Sequence, residues 1–255
     1  MRTLRLDIEY YGAGFAGWAV QPGLRTVEGE LTRALSTVLR EEVRLSVAGR
    51  TDAGVHASGQ VASFITGSTL DVGRIVRGLA GLLPGDVAVQ RASDAPEGFD
   101  ARRDATARRY EYRILCGPPS PLRLWRVLVH PYPIDIDAMR TAAALVEGQH
   151  DFRAFTPTRT EHVFFHRTVT VCRLEERGDE IVLVVEADAF LRHMVRVLAG
   201  TLLLVGRGAW PAERLGMLLG GAPRGAAGPT APAHPLTLVG VSFARQGEGG
   251  RDAPL

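Results

Sequence analysis

Residues 3–11 read Thr3-Leu4-Arg5-Leu6-Asp7-Ile8-Glu9-Tyr10-Tyr11, in which apolar and charged side chains alternate. A period of two predicts a strand with one buried face, because successive side chains of a strand point to opposite faces. The next 80 residues alternate helical and strand periodicity. We predict a helix from Thr26, strands at 43–48 and 60–66, a helix capped by Asp71, and a strand at 87–91.

This β-α-β-β-α-β order is that of ferredoxin-like and RRM-like folds. The rest of the chain predicts a similar set of elements: a strand at 106–115, a helix opened by Asp137, a hairpin of 166–175 with 180–187, helices at 191–205 and 211–219, and a strand at 236–243. Residues 220–235 are predicted to form a surface loop and the tail from Arg245 to be frayed.

We therefore predict an α+β fold class with two ferredoxin-like or RRM-like halves. Mixed, mainly antiparallel sheets and a cleft between the halves are expected. The predicted N-terminal domain covers residues 1–104 and the C-terminal domain covers residues 105–255.

The composition excludes several classes of protein. All 30 basic residues are arginine, and with 28 acidic residues the net charge is +2, unlike a disordered basic or acidic tail. Asparagine is missing as well as lysine, which indicates a compositional bias that carries little information about function. The longest apolar stretch, 197–205, is too short to span a membrane, and residues 1–10 do not resemble a signal peptide. Only two cysteines occur and no zinc-ligand spacing is present, so we expect a cytoplasmic protein without a metal.

The loop Gly49-Arg50-Thr51-Asp52-Ala53-Gly54-Val55-His56-Ala57-Ser58-Gly59 is the first candidate functional segment. Glycines allow close approach of a ligand, and the cationic neighbours Arg50 and His56 would orient the carboxylate of Asp52. The alternative is an ordinary loop in which Asp52 makes an Asx-turn and Arg50 is solvated.

Two further segments combine arginine with aromatic or apolar residues. The strand Ala107-Arg108-Arg109-Tyr110-Glu111-Tyr112-Arg113 suits RNA, with arginines for phosphates and tyrosines for stacking on bases. A solvated edge strand with its tyrosines in the core is the alternative. In Phe190-Leu191-Arg192-His193-Met194-Val195-Arg196, two arginines share a helix face, so they are either solvated or separated by an anion.

These three segments, with Gly17-Trp18 and Gln21, resemble the tRNA pseudouridine synthase A family in sequence order over about residues 3 to 243. The resemblance implies an isomerase that converts uridine to pseudouridine at positions 38 to 40 of the tRNA anticodon stem-loop, without a cofactor. It also implies a homodimer that binds tRNA across both subunits. Neither DNA nor a membrane is an expected partner.

The resemblance assigns roles to individual residues. Asp52 takes the place of the essential catalytic aspartate, Tyr110 that of the tyrosine that stacks on the uracil, and Arg196 that of the arginine that pairs with the aspartate. Arg50 would bind the flipped nucleotide or its phosphate, and Leu236 would line an apolar pocket. The other expected substrate contacts are His56, Arg192, Arg108 and Arg109.

The chain departs from the family pattern at Ala19, Val197 and Pro235, which affects the shape of the pocket more than the chemistry. His56 and His193 are potential proton carriers, for which a structural or RNA-contacting role is the alternative. Two other functions remain to be tested. One is a non-catalytic RRM-like RNA-binding protein or tRNA chaperone, and the other is a metal-dependent nuclease.

Overall fold

The computed structural model describes residues 1–160 and 162–244, and within these ranges ten strands form one continuous sheet. The strands are β1 (Arg2–Tyr10), β2 (Ser46–Val47), β3 (His56–Thr66), β4 (Val87–Ala95), β5 (Ala105–Cys116), β6 (Leu128–His130), β7 (Gly148–Asp151), β8 (His166–Arg177), β9 (Glu180–Ala187) and β10 (Leu236–Phe243). The α-helices are α1 (Val27–Leu39), α2 (Val72–Leu82), α3 (Ile136–Ala144), α4 (Met194–Gly206) and α5 (Arg214–Leu218).

The sheet runs in the order β4-β1-β3-β10-β5-β9-β8-β7, with β2 beside β3 and β6 beside β5. Among the described strands, β10 pairs with β3 and β6 pairs with β5 in parallel, and the other pairs are antiparallel. The predicted α+β class and mainly antiparallel pairing are therefore confirmed. The sheet continues across residue 104, so the division into domains 1–104 and 105–255 stays a prediction.

One hydrophobic core runs beneath both halves of the sheet. In β1 the alternating residues Leu4, Leu6 and Ile8 are fully buried, as the period of two predicts. They belong to the same cluster as the apolar residues of α1 and α2 in the first half and of α3 and α4 in the second. Continuity of this core makes the two halves one packed unit.

Local signals begin the first helices where the sequence predicts them. The hydroxyl of Thr26 accepts a hydrogen bond from the Gly29 amide at 3.3 Å, which caps α1. The carboxylate of Asp71 accepts from the Gly73 amide at 2.9 Å and caps α2 in the same way. The cap of α3 is Asp135 rather than the predicted Asp137.

The structure differs from the prediction in several loops and short strands. The strand predicted at 43–48 shrinks to the two residues of β2, whereas β3 begins four residues before the predicted Gln60. The loop predicted at 220–235 lies at the surface, and part of it also packs against α4: a Cβ built on Gly200 would lie only 2.0 Å from the Pro229 carbonyl oxygen. The short strands β6 and β7 were not predicted, and the tail from Arg245 lies outside the described residues.

In the part of the chain that the structure describes, no helix has both the length and the apolar character needed to cross a membrane.

The two halves meet where β3 and β10 run side by side in the middle of the sheet. Thr237 pairs with His56 and Leu238 with Ala57, and the ladder then ends. A Cβ built on Gly59 would lie 2.4 Å from the carbonyl oxygen of Val239. Glycine therefore permits a backbone approach that no other residue would allow here.

We expect Gly59→Ala to lower the free energy of unfolding by about 1–3 kcal/mol, because the added methyl group must push β10 away from β3. Chemical denaturation of the two proteins would measure the difference. Gly81→Ala is the matched control: this exposed helical glycine has open space around its Cα, so alanine should raise stability by up to about 1 kcal/mol. Equal stabilities for Gly59→Ala and the wild type would contradict the close contact at this position.

Candidate active site

The loop between β2 and β3, residues 49–55, is called the aspartate loop here. It is held from outside by the turn that follows β1. The Trp18 amide donates to the Thr51 carbonyl at 3.1 Å, and the Gly54 amide donates to the Phe15 carbonyl at 3.3 Å. Gly17 has a φ of +104°, and a Cβ on it would lie 2.9 Å from the Thr51 carbonyl oxygen. The glycine thus lets the turn lie directly on the aspartate loop.

Buried polar groups hold the aspartate loop from below. The hydroxyls of Tyr10 and Thr51 are 2.7 Å apart, and the side-chain amide of Gln60 donates to the Gly49 carbonyl at 2.7 Å. Burial raises the pKa of Tyr10 to about 12, so its phenol remains a neutral hydrogen-bonding group. Because both sides of Asp52 are fixed, its carboxylate is held at a defined position and is 25% exposed.

Asp52 meets the start of α4, which lies 144 residues later in the chain. Its Oδ2 lies 3.4 Å from a terminal guanidinium nitrogen of Arg196 and 3.7 Å from Nε2 of His193. Arg196 is fixed in turn, since its Nε donates to the Ala231 carbonyl at 2.8 Å and its own carbonyl accepts from the Ala231 amide at 3.1 Å. The structure therefore brings Asp52 and Arg196 together, and the 220–235 segment holds Arg196 in place.

His193 is a third member of this cluster, which the sequence named as a potential proton carrier but not among the catalytic and substrate-binding residues. It is the N-cap of α4 and has a left-handed backbone, with φ of 62°. Burial lowers the pKa of its imidazole, Asp52 opposes that change, and the neighbouring arginines reinforce it. Its spacing of three residues from Arg196 was the available signal, since residues three apart in a helical turn share a side.

Tyr110 lies in β5 under the aspartate loop. Its hydroxyl oxygen would be 3.7 Å from a Cβ built on Gly49, and its ring meets that of Phe190 edge to face, with centroids 5.0 Å apart. Burial raises the pKa of the phenol, and the charge of Asp52 adds to this effect. The structure therefore places Tyr110 beside the Asp52 cluster with its phenol neutral.

Arg50 and Arg192 are exposed at the two ends of this cluster, one beside Asp52 and the other beside His193. Neither makes an ion pair or a side-chain hydrogen bond with any residue in the ranges 1–160 and 162–244. Both are therefore available to bind an anionic group.

Arg108 and His56 are buried and have structural partners. The Arg108 guanidinium donates to four backbone carbonyls, those of Ala48, Ala105, Asp188 and Arg102. The His56 Nδ1 accepts from the Gly12 amide at 2.9 Å, and its Nε2 faces the carbonyls of Trp125 and His234, each at 2.9 Å. These bonds give both residues a structural role, and their contacts with substrate stay a prediction.

Arg109 and Leu236 take different positions from each other. Arg109 lies on the opposite face of β5 from Tyr110, because neighbouring residues of a strand alternate, and it pairs with Glu186 at 2.7 Å. This position separates it from the Asp52 cluster, and its contact with the substrate stays a prediction. Leu236 is buried and pairs with Tyr112, so it contributes to the apolar floor next to Tyr110.

Between residues 102 and 126 the sequence has seven arginines, but most of them are not free to bind an anion. Most are paired with acids: Arg103 with Asp104, Arg109 with Glu186, Arg113 with Glu180, and Arg123 with Asp179 and Glu180. The sequence counts only two acids in that stretch, but the hairpin of β8 and β9 supplies several of the partners. Non-local pairing removes most of the expected positive surface.

Among the described residues, no group of three or more histidine, cysteine, aspartate or glutamate side chains could hold a metal ion. The chemistry that the cluster offers is that of a carboxylate with one cationic and one imidazole neighbour.

Comparison with known proteins places this chain in a family. The family described as tRNA pseudouridine synthase matches residues 8–103 and 142–244. The chain is 46% identical to tRNA pseudouridine synthase A of Frankia casuarinae over 94% of this chain and 89% of that one. It is 44% identical to tRNA pseudouridine synthase A of Myxococcus xanthus (95% and 92% covered) and 43% identical to that of Pelobacter propionicus (95% and 100% covered). The chain belongs to the tRNA pseudouridine synthase family and is an enzyme that isomerises uridine to pseudouridine.

Proposed function

We propose that the chain isomerises uridine at positions 38 to 40 of the tRNA anticodon stem-loop, with Asp52 as the essential catalytic residue. The observation that carries this proposal is the environment of the carboxylate. Oδ2 faces Arg196 and His193, while Oδ1 has no hydrogen-bond partner among the residues that the structure describes. One oxygen is thus held by protein, and the other is free to meet a substrate.

The reaction requires bonds to be exchanged at one sugar carbon. The C1′–N1 bond of uridine breaks, the uracil turns, and a C1′–C5 bond forms; C5 then loses a proton and N1 gains one, so no atom is added or removed. Asp52 can serve this exchange by attacking the sugar, attacking the base, or removing a sugar proton. Arg196 compensates the negative charge of the partly buried carboxylate, which would otherwise be costly.

The target base must leave the helical stack before Asp52 can reach it. Tyr110 is 7% exposed and lies near enough to Asp52 for the charge of the carboxylate to raise the pKa of its phenol. An aromatic ring at this place can stack on a base of any sequence that enters the site. Arg50 lies two residues before Asp52 in the chain and is exposed, so its guanidinium is suited to bind a phosphate or the displaced nucleotide. These positions support one pocket for the flipped uridine, in which exclusion of water protects the separated uracil from hydrolysis.

Attraction of tRNA depends on where charge is free and less on net charge. The chain carries only +2, and many of its arginines are paired with acids. Within residues 1–160 and 162–244, Arg50 and Arg192 have no acidic partner, so each adds free positive charge at the site. We further propose that the enzyme is a cytoplasmic homodimer, since two such sites side by side would offer a tRNA more free charge than one.

The mass of the protein in solution tests the homodimer. Light scattering on a size-exclusion column should give about twice the chain mass of 27.5 kDa. A mass equal to one chain at micromolar concentration would refute the dimer.

The substrate position is tested with a tRNA transcript that has uridine at 38, 39 and 40. After incubation with the pure protein, carbodiimide labelling and primer extension should place pseudouridine at those positions, and cytidine substitutions should remove each signal in turn. Activity should persist with a chelator, whereas a metal-dependent nuclease would cut the transcript and stop when the metal is removed. Pseudouridine confined to another arm of the tRNA would overturn the proposed position.

Asp52→Asn should reduce the rate of isomerisation at least about 1000-fold, because the amide is neither a nucleophile nor a base of comparable strength. The substitution keeps the shape of the side chain, so tRNA binding should survive in a filter-binding assay. Asp137→Asn changes an exposed carboxylate on α3 and is the matched control, with an unchanged rate. Full activity of Asp52→Asn would remove Asp52 from the chemistry.

Arg196→Lys should lower kcat about 100-fold, because one ammonium cannot reach both Asp52 and the Ala231 carbonyl, and the carboxylate would shift. The free energy of unfolding should fall by about 1–3 kcal/mol through the lost hydrogen bonds. Arg140→Lys, which alters a surface ion pair, should change neither quantity appreciably. Wild-type rate and stability in Arg196→Lys would contradict the role of the guanidinium.

A further inference from the structure

The backbone of His193 has a conformation that its place in the helix does not require. Among the described residues other than glycine, positive φ values occur at Arg40 and at His193. Arg40 follows the last turn of α1, where a left-handed residue commonly ends a helix. His193 precedes the first turn of α4, where the cap residue usually has an extended backbone.

Residues with a Cβ are strained in the left-handed region, and strain of this kind persists where the surrounding structure imposes it. At His193 the imposed geometry brings an imidazole to the carboxylate. Its Nε2 lies 3.7 Å from Asp52 Oδ2, the same oxygen that Arg196 approaches to 3.4 Å. The side chains of His193 and Arg196 therefore both lie near Oδ2 of Asp52, and Oδ1 is left for the substrate.

We propose that His193 is a positioning residue whose neutral imidazole, with Nε2 3.7 Å from Asp52 Oδ2, limits the movement of the carboxylate and keeps its Oδ1 toward the substrate. The inference rests on the proposed role of Asp52 and extends it to a residue that touches the carboxylate and not the substrate. The neutral tautomer with its hydrogen on Nε2 presents a donor toward Asp52 without a positive charge on the ring.

The charges around His193 determine its protonation state. Asp52 faces it from the aspartate loop, Arg192 and Arg196 from the start of α4, and Arg224 from the segment after α5. Burial and the three arginines lower the pKa of the imidazole below its ordinary value of 6.5, against the attraction of Asp52. His193 is consequently neutral at pH 7 and gains its proton only in more acidic solution.

Protonation should weaken the reaction, because an imidazolium would bind the carboxylate more strongly and reduce its reactivity. The rate should therefore fall as the pH decreases through the pKa of His193, on the acidic side of 6.5. His193→Gln keeps a neutral N–H near the position of Nε2 but cannot titrate. This variant should retain most of the wild-type kcat at pH 7 and should lack the part of the acid limb that His193 causes.

His193→Gly and His193→Asn test the positioning role without asking the backbone to change, because both residues tolerate positive φ. Neither side chain reaches Asp52, so kcat should fall about 100-fold with little change in KM. The melting temperature of His193→Gly should stay the same or rise, since the strain is relieved. A residue with only a structural role would show the reverse, lower stability with normal kcat in the protein that remains folded.

Arg40→Gly is the matched control, because it relieves the same kind of backbone strain at a helix end remote from Asp52. It should melt at the same or a higher temperature and keep the wild-type kcat. Wild-type kcat in both His193→Gly and His193→Asn, or an equal loss in His193→Gln, would overturn the positioning role. Full activity of Asp52→Asn is a separate result, which would refute the proposed function itself.

Discussion

The pairing of β10 with both β3 and β5 is the interaction on which the molecule depends. β10 is the last strand of the described chain, yet it lies in the middle of the sheet, with the first half on one side and the second half on the other. Its pairing with β3 covers few residues, and the backbones can approach there because Gly59 has no side chain. Because the pairing with β5 is long, β10 belongs to the second half of the sheet. It is joined to the first half by a small number of close backbone contacts with β3.

The residues of the active site come from both halves of the sheet and meet at this junction. Asp52 comes from a loop at the start of β3, Tyr110 from β5, and Arg196 and His193 from the start of α4. The segment before β10 passes Arg196 and exchanges hydrogen bonds with it through Ala231. The sheet and that segment thus hold a carboxylate and its partners from distant parts of the chain next to one another. The site exists only when both halves have assembled.

Local chemistry made much of the fold predictable. Thr26 and Asp71 cap the helices that the sequence indicated, and the alternation in β1 is matched by its buried face, because both effects act within a few residues. The start of β3 was missed, since Ser58 and Gly59 interrupt the alternation and the approach of β10 supplies the reason for the glycine. Arg109 was expected to contact the substrate as Arg108 was, but it lies on the other face of β5 and pairs with Glu186 from another hairpin. The left-handed backbone of His193 and the bond of Arg196 to Ala231 depend on tertiary contacts and leave no local signature.

The position of β10 also affects how the protein is made on the ribosome. Residues between Thr66, where β3 ends, and Leu236, where β10 begins, must all be synthesised before the centre of the sheet can close. At bacterial or eukaryotic elongation rates this takes about 10–30 s. During that time the first residues of β3 and most of the facing edge of β5 have unpaired backbone groups, which are open to pairing with other chains. The nascent chain of this protein therefore passes through a stage in which β10, which would cover these edges, has not yet been made.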